Sequence, residues 1–380
     1  MPLWTVGEGS VLRWEPQAKR LCGLRSGDGE DPSRGVGQKT VPVRLDCFSG
    51  VVMSSVPESY SPAFLKATVH QKRQEAQGVV SLELRPCNGS EFPNFEPGAH
   101  IDLHLPQGMV RSYSLCNASD EKGRYVIGVQ KDRTSRGGSV YVHDQLDAGA
   151  EIEISRPRNN FPLHIDAAHS VFVAGGIGVT PIMSMLWKLK SLGRSAELIY
   201  AVRSCREAAF VDEIGALGVD VAWHFDDQMG GPPDLKSYLS APWGANTHFY
   251  ACGPGAMLDA FEDLCRAFPR TQVHLERFAA RAASTPTADP AVQAYSVELR
   301  RSGLQIEVLP GKTLLEALLD AGMELNYSCQ EGVCGACKTR VLSGEPEHRD
   351  FVLSEAERAS ANVMTPCVSG CRRGPLVLDL

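Results

Sequence analysis

The stretch Cys329-Gln-Glu-Gly-Val-Cys334-Gly-Ala-Cys337, followed at a distance by Cys367 and Cys371, decides the reading of this chain. Three cysteines stepped by four and then two residues, completed by one from a remote segment, match the C-x4-C-x2-C…C arrangement of an iron–sulfur cage. A tight loop of this kind must aim three thiolates inward. Gly332, Gly335 and Ala336 are small enough to let backbone N–H groups approach the cluster sulfurs. Zinc also takes four thiolates, but its structural sites usually carry two short C-x2–4-C knuckles, and only one such pair is present here. An iron–sulfur centre is therefore expected, with the fourth ligand left open between Cys367 and Cys371.

The rest of the chain is consistent with a cytoplasmic protein. Its 380 residues suggest two or three domains. The net charge is -7, and no long basic run appears, so nucleic acid is not an expected partner. No apolar run reaches the roughly 18 residues that span a bilayer. Met1 to Ser10 lack the basic and apolar regions of a secretory signal. In a reducing compartment twelve cysteines point to metal binding rather than disulfides. The scattered ones, including Cys87, Cys116, Cys205 and Cys265, read as small buried hydrophobes.

Residues 1–60 include a polar, glycine-rich stretch without periodicity and read as a disordered extension. Met53 lies just before the first strand-like segment and is a candidate translation start. Residues 61–163 carry six short strand patterns (64–71, 79–84, 100–105, 111–117, 125–129 and 151–155) broken by turn residues, which predicts an antiparallel β-barrel or sandwich. Residues 164–280 alternate strand and helix patterns, which predicts an α/β domain with a parallel sheet. Residues 281–293 read as a linker, and residues 294–380 as a compact α+β unit holding the cysteines.

Several short motifs are distributed over these domains. Arg111-Ser-Tyr113-Ser114-Leu115 could by itself be any alternating strand, and Arg136-Gly137-Gly138-Ser139 an ordinary turn. Their chemistry nonetheless suits an aromatic anion: a tyrosine face, a hydroxyl, an arginine and a glycine turn with free N–H groups. Gly175-Gly176-Ile-Gly178-Val-Thr180-Pro181 reads as strand, glycine turn and helix, with Thr180 the expected N-cap and the turn suited to a pyrophosphate. It is not GxGxxG, so no Rossmann fingerprint is claimed. Cys252-Gly253-Pro254 ends another strand, and Glu276-Arg277-Phe278 closes the domain. His143, His164, His274 and His348 show no ligand spacing in sequence and read as ordinary surface or core residues.

Taken together and in this order, the motifs of residues 63–380 resemble the phthalate dioxygenase reductase family, which includes vanillate O-demethylase reductases. Residues 294–380 resemble plant-type ferredoxins. The resemblance implies a [2Fe-2S] cluster on Cys329, Cys334, Cys337 and Cys367, leaving Cys371 as a free thiol. It implies an FMN site at Arg111, Tyr113, Ser114, Gly137, Gly138 and Ser139. It implies a nicotinamide site at Gly175, Gly176, Gly178, Thr180, Cys252 and Gly253, with Phe278 packing either at the flavin ring or at the hinge that ends the domain. Arg277 departs from the family, which often has serine there. NADH is expected over NADPH, although Arg203 and Arg206 could pair with a 2′-phosphate. The implied activity is an NADH-dependent reductase passing electrons one at a time to a Rieske-type non-haem iron oxygenase. The alternatives are a cytochrome P450 partner, or an electron carrier without NADH turnover of its own.

Overall fold

The computed structural model describes residues 12–13, 64–87, 89–133, 135–279 and 294–380. The expected extension, apart from Leu12–Arg13, and the expected linker lie outside the described residues, as does Met53. Leu12–Arg13 form a short strand, β1, paired antiparallel with Ala222 and Trp223.

The antiparallel sheet contains β2 (Phe64–Ala76), β3 (Val79–Pro86), β4 (His100–Leu105), β5 (Met109–Ser114), β6 (Tyr125–Gln130) and β7 (Glu151–Ser155). Its strand order is β5-β4-β7-β2-β3-β6. An isolated bridge between Leu115 and Ile127 joins the two outer strands, so the sheet curls into a barrel. Val69, Leu82, Leu84, Ile101, Leu103, Ile127 and Ile154 fill its interior. In β7 the alternation is plain: Ile152 and Ile154 point inward, whereas Glu151 and Glu153 are exposed. Helix α1 (Gly138–Asp144) plugs one end with Val142.

The second sheet contains β8 (His169–Gly175), β9 (Ser195–Val202), β10 (Asp220–Phe225), β11 (Thr247–Cys252) and β12 (Val273–Glu276). These five strands are parallel, in the order β10-β9-β8-β11-β12. Helices α2 (Val179–Ser191), α3 (Val211–Leu217), α4 (Asp226–Met229), α5 (Leu235–Leu239) and α6 (Gly255–Leu264) connect them. Strands before and after β11 run to opposite sides of β8, so the strand order reverses between β8 and β11. Ligands of open parallel sheets bind at such a switch point, outside the carboxyl ends of the strands. Here those ends are Gly175 and Cys252.

The barrel and the parallel sheet share a core in which Ala76, Val79, Cys116 and Phe161 pack with Phe172, Met183 and Phe210. Close approach is obligatory at Gly128 of β6, where a Cβ would stand 2.7 Å from Cγ2 of Thr180. The Gly98 N–H also donates to Ser184 Oγ on α2 at 2.9 Å.

The third sheet is built from β13 (Tyr295–Leu299), β14 (Leu304–Val308), β15 (Thr339–Glu347), β16 (Val363–Met364) and β17 (Gly370–Leu378), in the order β14-β13-β17-β15-β16. Helix α7 (Leu314–Asp320) starts with a capping box between Thr313 and Glu316. It lays Leu314, Ala317 and Leu318 against Val297, Leu299, Leu376 and Leu378. Helix α8 (Glu355–Ser360) begins with a second capping box, Ser354 with Glu357. No helix among the described residues is long and apolar enough to cross a membrane.

Candidate functional site

The cysteine loop lies between α7 and β15. Cys334, Cys337 and Cys367 are buried and Cys329 is half-buried. The Cys337 and Cys367 sulfurs lie 3.3 Å apart, although thirty residues separate them in the chain. Backbone donors turn inward: the Glu331 N–H meets Cys329 Sγ at 3.3 Å, the Cys329 N–H meets Cys334 Sγ at 3.4 Å, and the Ala336 N–H meets Cys334 Sγ at 3.5 Å. The Cys334 thiol and the N–H groups of Glu331, Val333 and Cys334 lower the Cys329 pKa to about 6. Gly332 has a φ of 72°, and a Cβ there would come within 2.7 Å of Val368 and 3.0 Å of the Asp350 backbone. Only glycine closes the loop so tightly. Two sulfur pairs, Cys329 with Cys334 and Cys337 with Cys367, one sulfur of them readily ionised, together with backbone donors aimed at sulfur, fit an iron–sulfur cluster. Cys371 is placed elsewhere, with its thiol directed at the Gly374 carbonyl.

On the barrel, Arg111, Tyr113 and Ser114 lie on β5, and Arg136, Gly137, Gly138 and Ser139 on the turn entering α1. The structure brings the two motifs together. Arg111 donates from Nη2 to the Arg136 carbonyl at 2.9 Å, and a Cβ on Gly138 would stand 2.6 Å from Arg111 Cγ. Gly137 has a φ of 91°, which a side chain would strain. Ser139 Oγ donates to Ser135 Oγ at 2.9 Å and accepts from the Asp132 N–H at 3.1 Å. Burial pushes the Tyr113 pKa up to about 12, so the phenol stays neutral. An arginine arched over a side-chain-free turn, beside a neutral tyrosine, is a cradle that could hold a flavin and its phosphate.

At the switch point, the glycines let two loops lie against each other. A Cβ on Gly178 would meet the Cys252 carbonyl oxygen at 2.2 Å, and one on Gly175 would meet Pro254 Cδ at 2.5 Å. One expectation is corrected here. Thr180 is not the N-cap of α2, because the helix starts at Val179, behind a 3-10 turn formed by Gly176–Gly178. The glycine turn feeds directly into the helix, and the Thr180 hydroxyl donates to the Ile177 carbonyl at 2.9 Å. Cys252 is buried and faces Glu276 across the strand pair. Burial raises both acids, and the Glu276 pKa reaches about 8. The Glu276 Oε2 atom is sealed from solvent without a hydrogen-bond partner. Arg277 is buried in a pair with Asp259 at 2.8 Å and Glu262 at 3.3 Å on α6, while Phe278 is 43 % exposed. Arg203 and Arg206 are both exposed just past β9.

The cysteine loop also touches the barrel motif. The Asn160 Nδ2 donates to the Cys334 carbonyl at 2.9 Å. The hydroxyls of Ser112 and Ser328 meet at 2.9 Å. Ser112 donates to Asp102 at 2.7 Å, so the shared hydrogen comes from Ser328. Asp102 in turn accepts from Arg158 at 2.7 Å. Arg136 pairs with Glu331 at 2.9 Å. His100 is buried beside this contact, and burial first and Arg158 second lower its pKa to about 4, so the ring is neutral. Sequence reasoning missed Asp102, His100, Asn160 and Ser328. No motif marks them: His100 and Asp102 are residues of strand β4, and Asn160 and Ser328 acquire these partners only where the cysteine loop meets the barrel.

A family model described as "2Fe-2S iron-sulfur cluster binding domain" matches residues 297–372. The solved structure of phthalate dioxygenase reductase, described as modular for electron transfer from pyridine nucleotides to [2Fe-2S], is 38 % identical with a TM-score of 0.62. The match covers 83 % of this chain and 98 % of that one. This chain belongs to the phthalate dioxygenase reductase family. The reductase is thus an oxidoreductase with a [2Fe-2S] domain. It is also 44 % identical over 328 residues to the phenoxybenzoate dioxygenase subunit beta of Ectopseudomonas oleovorans, covering 86 % of this chain and 100 % of that protein. An intact type IV self-sufficient cytochrome P450 monooxygenase is 35 % identical with a TM-score of 0.76. That match covers 83 % of this chain but only 41 % of the longer one.

Proposed function

We propose that this reductase oxidises NADH at an FMN site and delivers the electrons singly, through a [2Fe-2S] cluster, to a Rieske-type oxygenase acting on an aromatic compound. When bound, a flavin accepts two electrons as hydride and releases them one at a time, and the cluster carries one. The chain's residues supply position. Arg111 and the Gly137–Gly138 turn would hold the FMN phosphate, and Tyr113 would cover the ring. The loops at Gly175–Gly178 and Cys252–Gly253 would hold the nucleotide at the carboxyl edge of β8 and β11. Cys329, Cys334, Cys337 and Cys367 would hold the cluster.

The observation that carries this reading is the contact between the cysteine loop and the barrel. Ser112 to Ser328 joins the cluster cage to the strand that bears the flavin motif, and Asn160 to Cys334 joins it to the segment leaving the barrel. Electron transfer requires such proximity, and an electron carrier without nicotinamide turnover would have no use for the glycine loops at the switch point. The test is NADH oxidation by the holoprotein, with and without a purified Rieske oxygenase. Oxygenase-dependent product formation supports the reading. Flavin that stays yellow after NADH is added contradicts it.

A second partner class is favoured by one observation. The self-sufficient P450 carries a likeness of 83 % of this chain within 41 % of its own length. Parallel assays with an isolated P450 haem domain distinguish the two acceptors.

A further inference from the structure

We propose that His164, His248 and His274 form a binding site for one divalent transition-metal cation, of which zinc is the representative. The site belongs to the parallel-sheet domain and stands apart from the cysteine loop. Strand pairing creates it. Tyr250 of β11 is opposite His274 of β12, and His248 lies two residues before Tyr250, so the two histidines project from the same face. His164 comes from the segment that enters β8, and its backbone N–H is held by the Tyr250 hydroxyl at 2.9 Å.

The spacing suits coordination. The candidate ligand atoms of the three side chains lie within 4.8 Å of one another. His248 Nδ1 and His274 Nε2 are already 3.0 Å apart. The ring centroids form a nearly equilateral triangle with sides of 4.6, 4.9 and 5.2 Å. A tetrahedral centre with bonds of about 2.0 Å separates its nitrogens by about 3.3 Å and its imidazole centroids by about 5 Å. Closing the site therefore takes ring rotation rather than strand movement.

The protonation state is also favourable. Burial and the neighbouring histidines lower the His248 pKa, and that of His274 to about 3. Both are neutral near pH 7, which is the form that ligates metal. The hydrogen now shared between Nδ1 and Nε2 would move to the other nitrogen of its own ring, with no net proton loss. His164 is exposed, so water can take a fourth position. His248 lies near the amino end of β11, about 13 Å along the strand from Cys252 at about 3.3 Å per residue. A cation here would clip the entry segment to β11 and β12 without touching the nicotinamide site.

Equilibrium dialysis of the cluster-loaded holoprotein against zinc, with metal analysis, tests the proposal. One zinc per chain beyond the iron is expected, with a higher thermal midpoint when zinc is present. His164→Ala, in an exposed segment, and His274→Gln should each weaken binding by about 100-fold. NADH-driven flavin bleaching should be unchanged in both variants. Cys371→Ser should bind zinc as the wild type does. Absence of bound zinc in the wild type, or full binding in both histidine variants, overturns the proposal.

Discussion

The side-chain amide of Asn160, in the segment leaving the barrel, donates a 2.9 Å hydrogen bond to the backbone carbonyl of Cys334 in the cluster loop. Replacing Asn160 by alanine removes a partly buried bond worth about 1 kcal/mol, which corresponds to about a fivefold change in the equilibrium for seating the loop. Stopped-flow spectroscopy should show unchanged flavin reduction by NADH and slower appearance of the reduced cluster. Equal slowing of both phases would assign Asn160 to general stability instead.

Gly178 should not tolerate a side chain. Its added Cβ would collide with the Cys252 carbonyl oxygen at 2.2 Å, and backbone rather than a flexible side chain is in the way. Gly178→Ala should destabilise the parallel-sheet domain by about 1–3 kcal/mol. It should also raise the KM for NADH while the flavin content stays at one per chain. An unaltered KM would place nucleotide binding elsewhere.

Glu276 gives a pH signature. Its folded pKa of about 8 lies above that of an unfolded carboxyl, so the folded state binds the extra proton between the two values. Its contribution is fully present below about pH 4.3 and is progressively lost as pH rises to about 8. Glu276→Gln mimics the protonated acid. The two proteins should melt together at about pH 4, and the variant should melt higher at about pH 8. Parallel melting curves across that range would show that the carboxyl is not desolvated.

The order barrel, parallel sheet and cysteine-bearing unit was legible because each has its own pattern: alternation in Glu151–Ser155, a glycine turn between strand and helix at Gly175–Gly178, and cysteine spacing at Cys329–Cys337. Short or polar elements were not. β12 carries only four residues, all half-buried, and hid behind the Glu276-Arg277-Phe278 motif. β15 and α8 went unread because Thr339–Glu347 mixes serine, glycine and proline, and Glu355–Ser360 buries no side chain. The departure at Arg277 has a structural reason: it is buried in a double ion pair that fixes the domain end to α6. The histidine trio was invisible in sequence because 84 residues separate His164 from His248, and only the parallel register of β11 and β12 unites them.

Cys337→Ser separates the two redox centres. Loss of one of four sulfurs should remove the cluster's iron and labile sulfide while the barrel still holds its flavin. NADH should bleach the flavin at the wild-type rate, and reduction of cytochrome c, a one-electron acceptor, should fall to a small residue. Cytochrome c reduction at the wild-type rate would mean that electrons leave from the flavin.

Anaerobic rapid-freeze EPR of the holoprotein after mixing with NADH tests the central claim most directly. The account predicts that flavin absorbance falls first and that the signal of a reduced [2Fe-2S] cluster then grows, at up to one spin per chain. A cluster that stays oxidised while the flavin is fully reduced and an oxygenase is turning over would contradict it.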